Sequence, residues 1–378
     1  MKKARWEEFV PRHSDPDGTM TERLLKKSIN SSLPKNDQPI AISLSSGIDS
    51  TLSLGLLRTV FPKRKLIGIC AVFDYGFDES KQAREIANKF DAKFLVVHIN
   101  SIFKNMPELI SIAKKPRWNT YQHYVAKEAK KVSKILINGD GADEIFGGYV
   151  FRYHKFFSNI SEHDDWKTKT VNYLDSHNRD WVPDQEQVFG KSIKFRWDTI
   201  YNYFKPYFSN PLDPLSQVML ADFNGKLIFD FIPTAKKIFK HYDLNGTSIF
   251  LHPELMSYAL HLQTNQKYDI KNQRGKIVLR KISKRLGIEH IEEKKGFSPD
   301  LLIDWNNYGK KITEKILSNE DLYIYKKNII NYKWVIKALD QINSDGDVRY
   351  LNRIVSVLAL EIFFKIFVEK EINPNSYL

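Results

Sequence analysis

A strand, a hydroxyl-rich turn and a helix follow one another without a gap near the start of this chain. Ala41–Leu44 is a short apolar run, Ser45-Ser46-Gly47-Ile48-Asp49-Ser50-Thr51 is the turn, and Leu52, Leu54, Leu56 and Leu57 mark the helix predicted over Ser50–Val60. A turn of this composition aims backbone N–H groups and hydroxyls along a helix N-terminus, which makes a seat for phosphate. Gly47 lets the backbone approach the anion closely. Asp49 is out of place in a plain anion cradle, because a carboxylate repels phosphate unless a cation lies between them; it implies Mg2+. No Gly-Lys-Ser/Thr follows, so the turn is not a Walker loop, and the G-x-G-x-x-G spacing of dinucleotide binders is absent. Alone, the run reads equally well as a polar turn capping a helix.

A second turn removes that ambiguity. Val132–Tyr149 reads VSKILINGDGADEIFGGY. Ile135–Ile137 is a buried strand by its continuous apolar run, Asn138-Gly139-Asp140-Gly141 a turn at its carboxyl end, and Asp143-Glu144 place carboxylates just beyond. Taken separately, Asp143-Glu144 is an acidic first helical turn and Gly147-Gly148 a tight turn. In open α/β sheets ligands sit outside the carboxyl ends of strands, so two such turns can clamp one metal-bound diphosphate from two sides, with Asp49 and Asp143 as the metal ligands.

The rest of the first half alternates. Strands are expected at Ala41–Leu44, Leu66–Phe73, Phe94–His98 and Ile135–Ile137, and helices at Thr21–Leu33 (Thr21 as N-cap), Ser50–Val60, Glu79–Phe90 and Thr120–Lys130. The fold class is therefore α/β, a parallel sheet with helices on both faces, followed by a mainly helical C-terminal part. Residues 1–20 read as a loosely packed lead-in, 21–150 as the nucleotide-binding core, 151–215 as an aromatic-rich insertion of uncertain structure and 216–378 as the helical remainder. Strand signals fade after Phe151. Val218–Tyr242 and Pro253–Leu262 read as helices, Gly275 as a turn before a helix at Lys276, and Ile354–Val368 as an amphipathic helix with Glu361 and Lys365 on its polar side.

The first turn resembles the PP-loop of enzymes that cleave ATP between its α- and β-phosphates, with Ser46 where that loop usually has glycine. The second resembles the G-E-G-x-D-E-x-F-G-G-Y motif of the asparagine synthetase family, matching every fixed position but one: Asp140 stands for Glu. The similarity runs on through Gln82–Asn88, Phe250-Leu251, Glu254-Leu255, the Lys276-Ile277-Val278-Leu279-Arg280 helix and Glu293–Ser298. It covers most of the chain from about Thr21. It implies an adenine nucleotide alpha hydrolase-like core and amide formation through an acyl-adenylate, with ATP and Mg2+ as cofactors. Ser43, Leu44, Ser45, Ser46, Gly47, Asp49, Ser50, Thr51, Val72, Asn138, Gly139 and Asp140 are then nucleotide-binding. Lys294, Asp143 and Glu144 are catalytic, Lys294 at the α-phosphate. The family's E-x-R-x-P-F-L-D becomes Asn245 to His252 here, without the Glu, Arg, Pro or Asp. Asn245 thus removes a candidate general base and puts aspartate in question as the substrate.

The expected reaction is aspartate to asparagine with ammonia. An amide ligase on another carboxylate, like β-lactam synthetases or lasso-peptide cyclases, is the alternative. An RNA-modifying PP-loop enzyme is third, prompted by a net charge of +13; a degenerate nucleotide-binding partner is fourth. The lysines are scattered, which reads as solvated surface, and nucleic acid is not the expected partner. The single cysteine, Cys70, reads as a small buried apolar residue, consistent with a reducing, cytoplasmic setting. No apolar run is long enough for a membrane span, and no His spacing suggests zinc; His123 and His154 read as ordinary polar residues. Residue 2 is Lys and fewer than about fifty residues precede the first turn, so the family's N-terminal cysteine glutaminase is not expected. Nitrogen would come from ammonia, another amine or a separate glutaminase subunit.

Overall fold

The computed structural model describes residues 2–161, 163–288 and 299–378. Its centre is a five-stranded sheet: β1 (Ile40–Ser43), β2 (Leu66–Phe73), β3 (Lys93–Ile99), β4 (Ile135–Asn138) and β5 (Asn245–Ser248). The order is β3-β2-β1-β4-β5 and every neighbouring pair is parallel. Ile40 sits between Leu66 and Ile135, and Asn138 lies beside Ser248. Parallel pairing forces crossovers, which are helical. α1 (Thr19–Ser32) precedes the sheet, α2 (Ile48–Val60) and α3 (Ser80–Lys89) link β1 to β2 to β3, and α4 (Met106–Ala113) and α5 (Gln122–Val132) lead to β4. From β1 the chain moves to one side of the sheet, and β4 opens the other. The crevice above the carboxyl ends of β1 and β4 is therefore the switch point at which such sheets bind ligands.

Strand periodicity divides the core. Ile40, Ile42, Cys70, Val72 and Ile137 point to the face covered by α1, α2 and α3, through Leu25, Leu56 and Ala87. Ala41, Ile69, Ala71 and Leu136 point to the other, covered by Leu109 of α4 and Val125 of α5. Each fully buried Leu or Ile there contributes about 1.5–3 kcal/mol. Burial pushes the Cys70 thiol up to about 12, so it stays a neutral apolar group.

Beyond β4 come α6 (Ala142–Phe146), α7 (Val150–Ser158), α8 (Trp166–Asp175), α9 (Gln185–Val188), α10 (Trp197–Phe208), α11 (Pro214–Asp222) and α12 (Ile232–His241). The uncertain stretch is thus helical. Val218–Tyr242 is helical as expected, but it is wound as a π-helix over Phe223–Phe231, just before Pro233, whose missing N–H cannot close a tighter turn. After β5 follow α13 (Pro253–Leu260), a two-stranded hairpin of β6 (Tyr268–Asp269) and β7 (Arg274–Gly275), α14 (Ile277–Arg285), α15 (Leu301–Asp304), α16 (Lys310–Leu317), α17 (Tyr323–Lys326), α18 (Tyr332–Asp345) and α19 (Val348–Phe367). Among the described residues no helix is long and apolar enough to cross a membrane.

Four expectations need correction. The sheet has a fifth strand inside the region read as helical: Asn245-Gly246-Thr247-Ser248 is a polar edge strand with no apolar run to announce it. The lead-in is not loose. Phe9 is buried, and both backbone groups of Ala4 bond the Asn224 side chain at 2.9 and 3.0 Å. Thr21 does not cap α1, which starts at Thr19. Asp15 does the capping, accepting from Met20 N–H, Thr21 N–H and the Thr21 hydroxyl, the last at 2.6 Å. Glu361 is not on a polar face of α19 but fully buried, accepting from Ile324 N–H.

Lys267 is a buried lysine whose Nζ donates to the Leu260 carbonyl at 2.7 Å. Burial pulls its ammonium down from 10.5 to about 7. Between those values the unfolded chain carries a proton that the folded chain lacks. Stability attributable to this residue therefore rises with pH across that window and is lowest below it. Urea melts of the wild type and Lys267→Met should show the wild-type midpoint climbing relative to the variant from about pH 7 to 10; parallel curves would contradict this.

Candidate active site

Ser43 closes β1, and the turn Ser45–Gly47 leads into α2. The turn is tied internally. Ser45 N–H donates to Ser50 Oγ at 3.0 Å, Ser45 Oγ lies 2.9 Å from Ser50 Oγ, and Gly47 N–H donates to Ser45 Oγ at 3.1 Å. Gly47 has ordinary extended geometry (φ −72°), so its role is not a left-handed turn. Ser46 turns aside: its N–H and hydroxyl both donate to Glu79, at 2.9 and 2.6 Å. Glu79 ends the loop after β2.

The second turn leaves β4 at Asn138. Gly141 is left-handed (φ +91°) and starts α6, which carries Asp143 and Glu144 on its first turn. Asp140 accepts from Gln122 Nε2 at 2.7 Å and Asn138 Nδ2 at 2.8 Å, and burial raises its carboxyl to about 6.

Between the turns stands a residue from far along the chain. Lys276 Nζ lies 2.6 Å from Asp49 Oδ2 and 2.5 Å from Asp143 Oδ1. Burial disfavours its charge, but the two carboxylates outweigh that and raise its pKa. The hairpin β6–β7 delivers it. Lys276 itself is left-handed (φ +58°), costly for a side-chain-bearing residue, and its N–H is pinned to the Phe146 carbonyl at 3.1 Å. Gly148 leaves the space the ion pair needs: a Cβ there would lie 1.7 Å from Asp143 Oδ1 and 2.4 Å from Lys276 Cε.

Above this ion pair is a cavity of about 320 Å3, in the range of small-ligand sites. Ser43, Leu44, Ser45, Asp49, Ser50, Gly139, Asp140 and Asp143 line it, with Ala71, Glu79, Arg117, Gln122, Phe231 and Thr234. Arg117, Asn119, Tyr121 and Phe231 also border a second chamber of about 800 Å3, which reaches Arg152, Arg179, Lys226 and Leu301. Arg117 is held at that border by Asp230 at 2.5 Å and by Asn119 Oδ1 at 2.7 Å.

Residues 20–365 match the family described as asparagine synthase. The chain belongs to that family. It is 24% identical over 380 aligned residues to asparagine synthetase [glutamine-hydrolyzing] 1 of Bacillus subtilis (strain 168), covering 90% of this chain and 58% of the relative. The chain thus spans less than two thirds of that relative's length. Among solved structures, the U34-tRNA thiolase NcsA from Methanococcus maripaludis aligns over 75% of this chain and 84% of its own. The identity is 16% and the TM-score 0.29, too slight a likeness to bear on fold or function.

Measured against the family resemblance, the structure gathers some expected residues and not others. Eight of those expected for nucleotide or metal line the cavity. Thr51 does not: it is buried, and its hydroxyl donates back to the Gly47 carbonyl at 3.0 Å. Val72 is buried on the opposite face of the sheet, and its neighbour Ala71 lines the cavity instead. Asn138 is buried behind Asp140. Glu144 is buried away from the cavity, accepts from the Tyr149 hydroxyl and is raised to about 8, first by burial and then by the charge of Asp143. Lys294 lies outside the described residues. Asn245 is not near the site: it pairs with Ile135 at the amino end of β5, so its identity says nothing about a general base. Sequence reading missed Glu79, Arg117, Gln122, Phe231 and Thr234, which carry no motif. It saw Lys276 only as the start of a helix.

Lys276→Met would remove the ammonium that bridges Asp49 and Asp143. Urea denaturation should register a loss of about 3 kcal/mol, at the low end for a broken buried pair because Asp143 is partly exposed. Adding Asp49→Asn should restore part of it, whereas strictly additive losses would contradict the bridge.

Proposed function

We propose that the chain activates a carboxylic acid with ATP and then joins the acyl group to ammonia or another amine. The acid's carboxylate oxygen attacks the α-phosphorus, the bond to the β-phosphate breaks and diphosphate leaves. The amine attacks the acyl-adenylate carbonyl, loses a proton, and AMP departs. Family membership supports the ligase class. The observation that carries the reading is the convergence of Asp49 and Asp143 on one cation, beside the hydroxyl-rich turn, at the switch point of the sheet.

In this reading Ser43, Ala71 and Gly139 form the adenosine wall, largely through backbone. Ser45, Ser46, Gly47, Ser50 and Thr51 belong to the turn whose N–H and hydroxyl groups hold the departing diphosphate. Lys276 supplies positive charge beneath it, and Lys294 serves the α-phosphate. Four carboxylates (Asp49, Glu79, Asp140, Asp143) line the cavity against one lining cation, Arg117, among the described residues. The donor set fits Mg2+, which is satisfied by one or two carboxylates plus phosphate oxygens. Asp49 and Asp143 would hold it, and it supplies charge neutralisation as the α–β bond breaks. Asp140, raised to about 6 and at the cavity wall, takes the proton from the amine. Glu144 braces α6 through Tyr149 rather than touching substrate.

Aspartate with ammonia is the family's reaction and the first pair to test, with a separate glutaminase subunit as one source of ammonia. The second chamber favours a larger acid: about 800 Å3 is drug-sized, and a single amino acid fills little of it. Its mixed lining of Arg152, Arg179, Trp118 and Leu302 suits an acid with an apolar body.

A panel of carboxylic acids should include at least one that drives exchange of labelled diphosphate into ATP. Asp49→Asn should lower that exchange by about 10²-fold or more with an unchanged far-UV circular dichroism spectrum. Retained exchange would contradict the assignment. The rate of amide formation should fall as pH drops through about 6, where Asp140 takes up a proton, and Asp140→Asn should be slow at every pH and lack that limb.

A further inference from the structure

Ser46 contributes two donors to the first turn, and in this structure both are taken by Glu79, a buried carboxylate that lines the same cavity. An O–H···O⁻ contact of 2.6 Å and an N–H···O⁻ contact of 2.9 Å to one oxygen, Oε2, are charge-assisted bonds of the kind a phosphate oxygen makes. We propose that Glu79 is a built-in phosphate mimic: it occupies the place of one diphosphate oxygen on the turn and must leave for diphosphate to seat fully. The proposal rests on the ATP reading above and adds a residue that sets affinity for the diphosphate end.

Two further features suit such a swing. Glu79 lies just ahead of Ser80, the first residue of α3, at the end of the loop Asp74–Glu79, so it can turn away without unwinding the helix. Gly76 in that loop has φ +141°, a region that favours glycine, so the loop carries no side chain at that position. The consequence is kinetic as well as thermodynamic. While diphosphate is bound, Glu79 is displaced, and its return to Ser46 drives the product out. Apparent affinity for diphosphate is the intrinsic affinity multiplied by the fraction of chains in which Glu79 has left.

Two variants separate this from simple charge repulsion. Glu79→Gln removes the charge and keeps the length. Glu79→Asp keeps the charge and shortens the arm, so it no longer reaches Ser46. Inorganic diphosphate and AMP are titrated calorimetrically, with Mg2+ present, into the full chain and both variants. The expected result is diphosphate binding about tenfold tighter in both variants, with AMP affinity unchanged. Unchanged or weaker diphosphate binding by Glu79→Asp, with AMP still bound, overturns the mimic and leaves the ATP reading standing. Absence of both diphosphate and AMP binding in every protein overturns the two together.

Discussion

One ammonium held between two carboxylates organises the site. Lys276 comes from a hairpin more than two hundred residues after Asp49, and it ties the turn after β1 to the helix after β4. It joins a carboxylate on each element across the switch point of the sheet. With it they stand close enough to share a ligand. The features around the bridge serve it. Gly148 has no side chain where the ion pair passes, Lys276 accepts a left-handed backbone, and the Phe146 carbonyl fixes its N–H.

The bridge also places a buried positive charge under an acidic cleft. Lys276 lies beneath the floor and Arg117 is clamped at the border with the second chamber; in the proposed reading Mg2+ accompanies the phosphates on the lining carboxylates. Glu79 fits the same logic from the other direction. In the proposed reading, the turn that takes a phosphate holds a carboxylate of the protein instead. The π-helical stretch Phe223–Phe231 ends at the shared wall of both chambers, so its altered pitch sets where Phe231 and Asp230 stand.

The two turns were legible in sequence because each is a contiguous motif on a strand of continuous apolar residues, and the parallel sheet followed from the alternation around them. β5 was not legible: Asn245–Ser248 has no hydrophobic pattern, being a polar edge strand placed by pairing with β4 and by Phe239 packing over Gly246. That same strand shows why Asn245 misled; its register puts it at the amino end, away from the cavity. The roles of Lys276, which the resemblance marked only as part of a helix, and of Glu79 were not legible for a different reason. Their roles come from partners distant in the chain, Asp49 and Asp143 for one and Ser46 for the other, and no local spacing encodes such meetings. The buried lead-in likewise depends on Asn224, 220 residues from Ala4.

The most direct test is a structure of the full chain with Mg2+ and an ATP analogue whose α–β bridge is a methylene group. The account predicts the β- and γ-phosphates on the amides of Ser45–Gly47, the adenine toward Ala71, and the metal on Asp49 and Asp143. Phosphates bound away from the crevice between β1 and β4, with the metal on other residues, would contradict it.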